Sequence, residues 1–94
     1  MKVALVTGGS SGIGAATARQ LAKRGWRVAI NYSRNADAAD KVARECGDAI
    51  AVQADVADDA QCRRLVKTVL ERFGAIDALV NNAGTTKVVA HTDF

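Results

Sequence analysis

Proline is missing from this 94-residue chain, and histidine, tyrosine and tryptophan occur once each. No proline-rich linker therefore divides it, and no low-complexity segment interrupts it. With only Trp26, Tyr32, Phe73 and Phe94 as aromatics, alanine and the aliphatic residues must build the core. Cys46 and Cys62 stand sixteen positions apart, with no C-x-x-C and no histidine nearby in sequence. That spacing argues against a disulfide framework or a metal site and predicts two buried, reduced core thiols. The lone histidine, His91, is the one general-base candidate by residue type. It lies in the unpatterned segment 85–94 and reads as a solvated surface group.

Runs of like charge and long apolar stretches are missing too. The formal net charge of +3 is spread out, with Lys23, Arg24 and Arg27 as its densest group. Such cations read as solvated helix faces, so no nucleic-acid partner is expected. No apolar stretch reaches the ~18 residues of a membrane span, and the short start before Val3 lacks a signal-peptide layout. We expect a soluble, cytoplasmic protein with no membrane partner.

What remains is globular: 49% hydrophobic, 24% charged, with eight glycines. The length suggests one small domain, burying about 60% of its unfolded surface or slightly more. Strand and helix patterns alternate along it. Val3-Ala4-Leu5-Val6 is a continuous apolar run, as in a strand buried on both faces. From Ile13 the pattern turns helical, with Ile13, Thr17 and Leu21 on one face and Ala18 and Ala22 beside it. Arg19, Gln20, Lys23 and Arg24 point outward, and Gly25 caps the end. Val28-Ala29-Ile30 is a second strand. Asn35 can cap the next helix, in which Ala39, Val42, Ala43 and Cys46 recur until Gly47.

Ile50-Ala51-Val52 forms a third strand, ending near Asp55. Asp58 and Gln61 make a weak capping box for a helix with Cys62, Leu65, Val66, Val69, Leu70 and Phe73 on one side. Gly74 ends it, Ala78-Leu79-Val80 makes a fourth strand, and Asn81-Asn82-Ala83-Gly84 breaks that strand. The order β-α-β-α-β-α-β, with short connections, implies a parallel sheet in a three-layer α/β half-domain.

The richest segment is Thr7-Gly8-Gly9-Ser10-Ser11-Gly12-Ile13-Gly14, a glycine turn between the first strand and the first helix. A strand feeding such a turn into a helix makes a cradle for a pyrophosphate, because glycine lets backbone approach a ligand and the helix start offers free N–H groups. A P-loop needs lysine and serine or threonine after its second glycine. Gly9 and Gly14 have the spacing, but Ala15 and Ala16 follow, so that reading fails. G-x-G-x-x-G is not met literally either, since Thr17 follows Gly12 and Gly14 at the third glycine's place. The pattern is Thr-Gly-x-x-x-Gly-Ile-Gly.

With Asp55-Val56 and Asn81-Asn82-Ala83-Gly84, each at the carboxyl end of an expected strand, this pattern resembles the three cofactor-side motifs of the short-chain dehydrogenase/reductases. The resemblance runs from Met1 to about Thr86 and leans toward the 3-oxoacyl-carrier-protein reductase type. It implies a Rossmann-type fold, with residues 1–94 as one NAD(P)-binding domain ending after its fourth strand. Gly8, Ser10, Ser11, Gly12, Ile13 and Gly14 would wrap the pyrophosphate and adenosine ribose. Asp55 and Val56 would line the adenine pocket. Asn82, Ala83 and Gly84 would approach the nicotinamide-side ribose, with Asn81 tying the fourth strand to the neighbouring turn.

The end of the second strand chooses between cofactors. An acid there would bond the 2′-hydroxyl of NAD and repel a 2′-phosphate. The chain reads Asn31-Tyr32-Ser33-Arg34 instead; Ser33 can donate to a phosphate and Arg34 can pair with it. The reading is NADP(H) over NAD(H).

The family's chemistry uses a serine and a Tyr-x-x-x-Lys pair, whose lysine lowers the tyrosine pKa for proton exchange with the substrate. The only tyrosine is Tyr32, and Ala36 is the fourth residue after it, so no catalytic residue is assigned. The expected function is the NADP(H)-binding portion of a short-chain oxidoreductase acting on a small carbonyl or alcohol substrate, homo-oligomeric at full length. The alternative is a complete, non-catalytic dinucleotide-binding or interaction module.

Overall fold

Alternate strand residues send apolar side chains to opposite faces of one sheet, and helices cover both. The computed structural model describes residues 1–82. Its order is β1 (Val3–Thr7), α1 (Gly12–Lys23), β2 (Arg27–Tyr32), α2 (Ala36–Cys46), β3 (Ala49–Gln53), α3 (Asp59–Phe73) and β4 (Ala78–Asn81). The expected β-α-β-α-β-α-β order holds, and each strand runs one to three residues longer than its apolar run.

The strands lie in the order β3-β2-β1-β4, all parallel. Leu5 is registered against Ala29 on one side and Leu79 on the other. The order grows leftward from β1 to β3 and then jumps across to β4. That jump carries α3 to the face opposite α1 and α2.

Two clusters make the core. Val3, Leu5 and Ala29 join Cys62, Leu65 and Val69 under α3. Val6, Val28 and Ile30 join Ala15, Ala18, Ala39 and Val42 under α1 and α2. This three-layer arrangement is the α/β half-domain read from the sequence. The central strands β1 and β2 are nearly all buried, whereas the edge strands β3 and β4 are half-buried. Asp77 locks β4 to β1: its carboxylate accepts from Val3 N, and its own N–H donates to Val3 O, both at 2.8 Å.

Two expectations need correction. The face of α1 that packs on the sheet centres on Gly14, Ala15 and Ala18, with Leu21 and Ala22 partly buried beside them, and not on Ile13 and Thr17. Small residues let the helix approach the sheet closely, and Ile13, in the first turn, is left 78% exposed. Cys62 is buried as expected, and its thiol donates to Val56 O at 2.9 Å, but Cys46 is only half-buried. Neither cysteine is joined in a disulfide among the described residues, and no metal-binding group of side chains exists among them. No helix among these residues is long and apolar enough to cross a membrane.

Candidate functional site

In an open parallel sheet, ligands bind beyond the carboxyl ends of the strands, where the strand order reverses. Here that point lies between β1 and β4, and the glycine turn stands on it. A cleft of about 490 Å³ opens there. Gly8, Ser10, Ser11, Ile13 and Gly14 form its floor, Tyr32 to Asn35 one wall, and Asn82 the opposite side.

The turn has its shape for identifiable reasons. Gly8 and Gly12 take φ of 63° and 58°, values costly for any residue with a Cβ. Gly14 has ordinary helical backbone but no room: a Cβ there would meet the Gly8 carbonyl oxygen at 2.1 Å. Gly9 donates to Asn31 O at 2.9 Å, which ties the turn to β2.

Three helix N-termini rise on this side of the sheet, and two are already satisfied. Asn35 accepts from Ala38 N at 3.0 Å at the start of α2, and Asp58 accepts from Gln61 N at 3.1 Å at the start of α3. Both helices also carry an acid in the first turn, Asp37 and Asp59. The start of α1 has neither: Ser11 makes no side-chain cap bond and no acid follows. Its N–H groups and positive dipole end face the cleft uncompensated, a setting for an anionic oxygen.

Beneath the turn, Asn31 was not singled out from the sequence. It is 1% exposed. Its Oδ1 accepts from Gly8 N at 3.4 Å, and its Nδ2 donates to the carbonyls of Ala54 at 3.1 Å and of Tyr32 and Val52 at 3.4 Å. One amide thus fastens the glycine turn to the corner after β3. The sequence signal is a polar residue directly after the apolar run Val28-Ala29-Ile30.

On the β4 side, Thr7 is fully buried and its hydroxyl lies 3.0 Å from Asn81 Oδ1 and 3.2 Å from Asn82 N. Asn81 therefore ties β4 to the last residue of β1, at the root of the turn. The Nδ2 of Asn82 is buried without a hydrogen-bond partner among the described residues. Such an atom costs stability unless something pairs it.

The other anticipated residues divide. Ser33 and Arg34 are exposed on the cleft wall, and Arg34 has no ion pair among the described residues. Asp55 is exposed, and its Oδ1 accepts from Ala57 N at 3.0 Å in a local turn. Gln61 completes the corner differently from a capping box, accepting from Asp55 N at 2.8 Å rather than from Asp58. The Val56 side chain is 6% exposed and packs in the core, so only its main chain is left to line a pocket. Ala83, Gly84 and His91 lie outside the described residues. A second depression runs along α1, lined by Ile13, Ala16, Thr17, Gln20, Leu21 and Arg24, and none of the anticipated site residues but Ile13 borders it.

Known proteins resemble this chain in sequence and in fold. The family model of the short chain dehydrogenases matches residues 2–94. A 3-oxoacyl-[acyl-carrier-protein] reductase of Synechocystis is 52% identical over 90 residues, covering 92% of this chain and 36% of that protein. A short chain dehydrogenase from Burkholderia cenocepacia, solved in complex with NADP, superposes with a TM-score of 0.85 at 51% identity, over 89% of this chain and 36% of that one. The actinorhodin polyketide ketoreductase variant solved with NADPH gives 0.81 at 42% identity, over 89% of this chain and 33% of that one. The chain thus spans about a third of the length of the relatives it matches.

Proposed function

This chain belongs to the short-chain dehydrogenase family, and from that premise we propose that it is the NADP(H)-holding portion of an oxidoreductase acting on a carbonyl or hydroxyl substrate. The observation that carries the reading is the free N-terminus of α1, which shares one cleft with Ser33 and Arg34. The first suits a pyrophosphate, and the second pair suits a 2′-phosphate. Relatives solved with NADP and NADPH support the same choice.

The residues fit the cofactor group by group. The free N–H groups at the start of α1, with the hydroxyls of Ser10 and Ser11, would hold the pyrophosphate, while Gly8 and Gly9, whose N–H groups are bonded to Asn31, shape the turn around it. Arg34 presents a guanidinium, and Ser33 a hydroxyl, to the 2′-phosphate. The carboxylate of Asp55 is the acceptor for the adenine amino group, with the Val56 main chain beside it. The Nδ2 of Asn82, without a partner among the described residues, would be a donor for the nicotinamide-side ribose. Ala83 and Gly84 belong to the same motif.

When bound, NADPH supplies the hydride that reduces a carbonyl. The chain's part is to hold and orient the cofactor, since Tyr32, followed by Ala36 four residues on, forms no Tyr-x-x-x-Lys pair. The test is a turnover assay of these 94 residues with NADPH and simple ketones. We expect no hydride transfer, and measurable turnover would overturn the assignment of proton transfer to residues outside this sequence.

A further inference from the structure

The bridge between β2 and α2 that carries Ser33 and Arg34 is exposed, yet it is pinned at both ends. On its far side Asn35 caps α2, accepting from Ala38 N at 3.0 Å through its side chain and from Ala39 N at 3.2 Å through its carbonyl. On its near side the Ser33 carbonyl accepts from Gln53 Nε2 at 3.1 Å. Gln53 is the last residue of β3 and the register partner of Tyr32. It is itself held: Arg64 reaches from α3 and donates through Nη2 to Gln53 O at 3.0 Å. The Ser33 carbonyl is thus bonded from β3, through a residue whose own main-chain carbonyl is bonded from α3.

We propose that Gln53 is a specificity-positioning residue, fixing the Ser33–Arg34 bridge in the conformation that receives a 2′-phosphate. This inference rests on the NADP(H) reading of the cleft. Among the described residues the Gln53 side chain bonds neither the glycine turn nor the Asp55 corner, so the pyrophosphate and adenine contacts are independent of it. Without its donor, the Ser33 carbonyl turns to water and the bridge gains conformations in which Arg34 no longer points at one place. A ligand with a 2′-phosphate must then order the bridge on binding. A ligand with a plain 2′-hydroxyl loses little.

The test is Gln53→Met in the full chain, which keeps the side-chain length and removes the donor without adding charge. Dissociation constants for NADPH and for NADH are measured for the chain and the variant. We expect NADPH to weaken roughly 3- to 10-fold, the scale of one hydrogen bond. NADH should stay within about twofold, and its binding also reports that the variant is folded. An unchanged NADPH-to-NADH ratio, whether neither affinity falls or both fall together, overturns the inference. If the unsubstituted chain binds NADH as tightly as NADPH, the cofactor reading itself fails, and this inference fails with it.

Discussion

Asn31→Asp probes the interior of the site without changing its shape. Asn31 is 1% exposed, and its amide nitrogen faces the carbonyls of Ala54, Val52 and Tyr32 at 3.1 to 3.4 Å. An aspartate is nearly isosteric, so packing is kept and only the chemistry changes. Ionised, it would set a carboxylate against three carbonyl oxygens with only Gly8 N as a donor. Burial and repulsion both hold such a carboxyl above its ordinary range. Protonated, its O–H donates to one carbonyl in place of the lost amide.

The folded variant therefore keeps this proton to a higher pH than the unfolded chain does. Its stability contribution is complete below the normal carboxylate range and is lost as pH rises above it. One such group changes stability by at most about 1.4 kcal/mol per pH unit. The penalty relative to the unsubstituted chain should thus widen by up to about 2.7 kcal/mol between about pH 5 and pH 7. That is a large share of the roughly 5–14 kcal/mol expected for a domain of this length. Urea unfolding followed by far-ultraviolet circular dichroism across this pH range measures it. Asn31→Leu removes the same bonds without a titratable group and should lose a pH-independent amount, about 1–3 kcal/mol. A flat pH dependence for Asn31→Asp would refute the reasoning.

Three further outcomes follow from the same contacts. Gly14→Ala gains about 1 kcal/mol of helix propensity, but its Cβ meets the Gly8 carbonyl oxygen at 2.1 Å and the Gly9 Cα at 3.0 Å, backbone that cannot step aside. We expect a net loss of at least about 1–3 kcal/mol and failure to bind the dinucleotide; a melting temperature equal to that of the unsubstituted chain would contradict this. Arg34→Asp should weaken NADPH by roughly tenfold or more while sparing NADH, since a charge-assisted bond is worth about 1.5–3 kcal/mol; equal losses for both would remove Arg34 from the 2′-phosphate. Burial pushes the Cys46 thiol up against the opposing pull of Arg19, with Glu45 adding to the rise. Iodoacetamide should therefore modify Cys46 more slowly than a free thiol at pH 8. The stability linked to its retained proton should fade only as pH rises through and above the thiol range, and alkylation at the free-thiol rate would count against it.

The parts of this molecule that were legible in the sequence are those governed by neighbours along the chain. Val3 to Val6, the Asn35 and Asp58 caps and the glycines ending each helix are local choices, and each element formed where local chemistry put it. The centre of the buried face of α1 lies off the sequence reading because periodicity weighs large groups, and Ile13 and Thr17 outweigh Gly14 and Ala15. Close approach of helix to sheet rewards small side chains instead, a preference that exists only once the sheet is there. The Asn31 hub and the Gln53–Ser33 bond were hidden for a related reason. They join segments distant along the chain, up to 23 residues apart for Asn31 and 20 for Gln53. The glycine turn was legible as a cradle, while the free start of α1 gained meaning only beside two helices that are capped.

If the cleft takes NADPH through two anchors, the turn at Gly8–Gly14 and the Ser33–Arg34 bridge, isothermal titration of the chain with NADPH and with NADH will separate them. NADPH should bind saturably, one to one, and at least about tenfold more tightly than NADH through the charge-assisted 2′-phosphate contacts. No binding of either dinucleotide, or tighter binding of NADH, would rule out the two-anchor cleft.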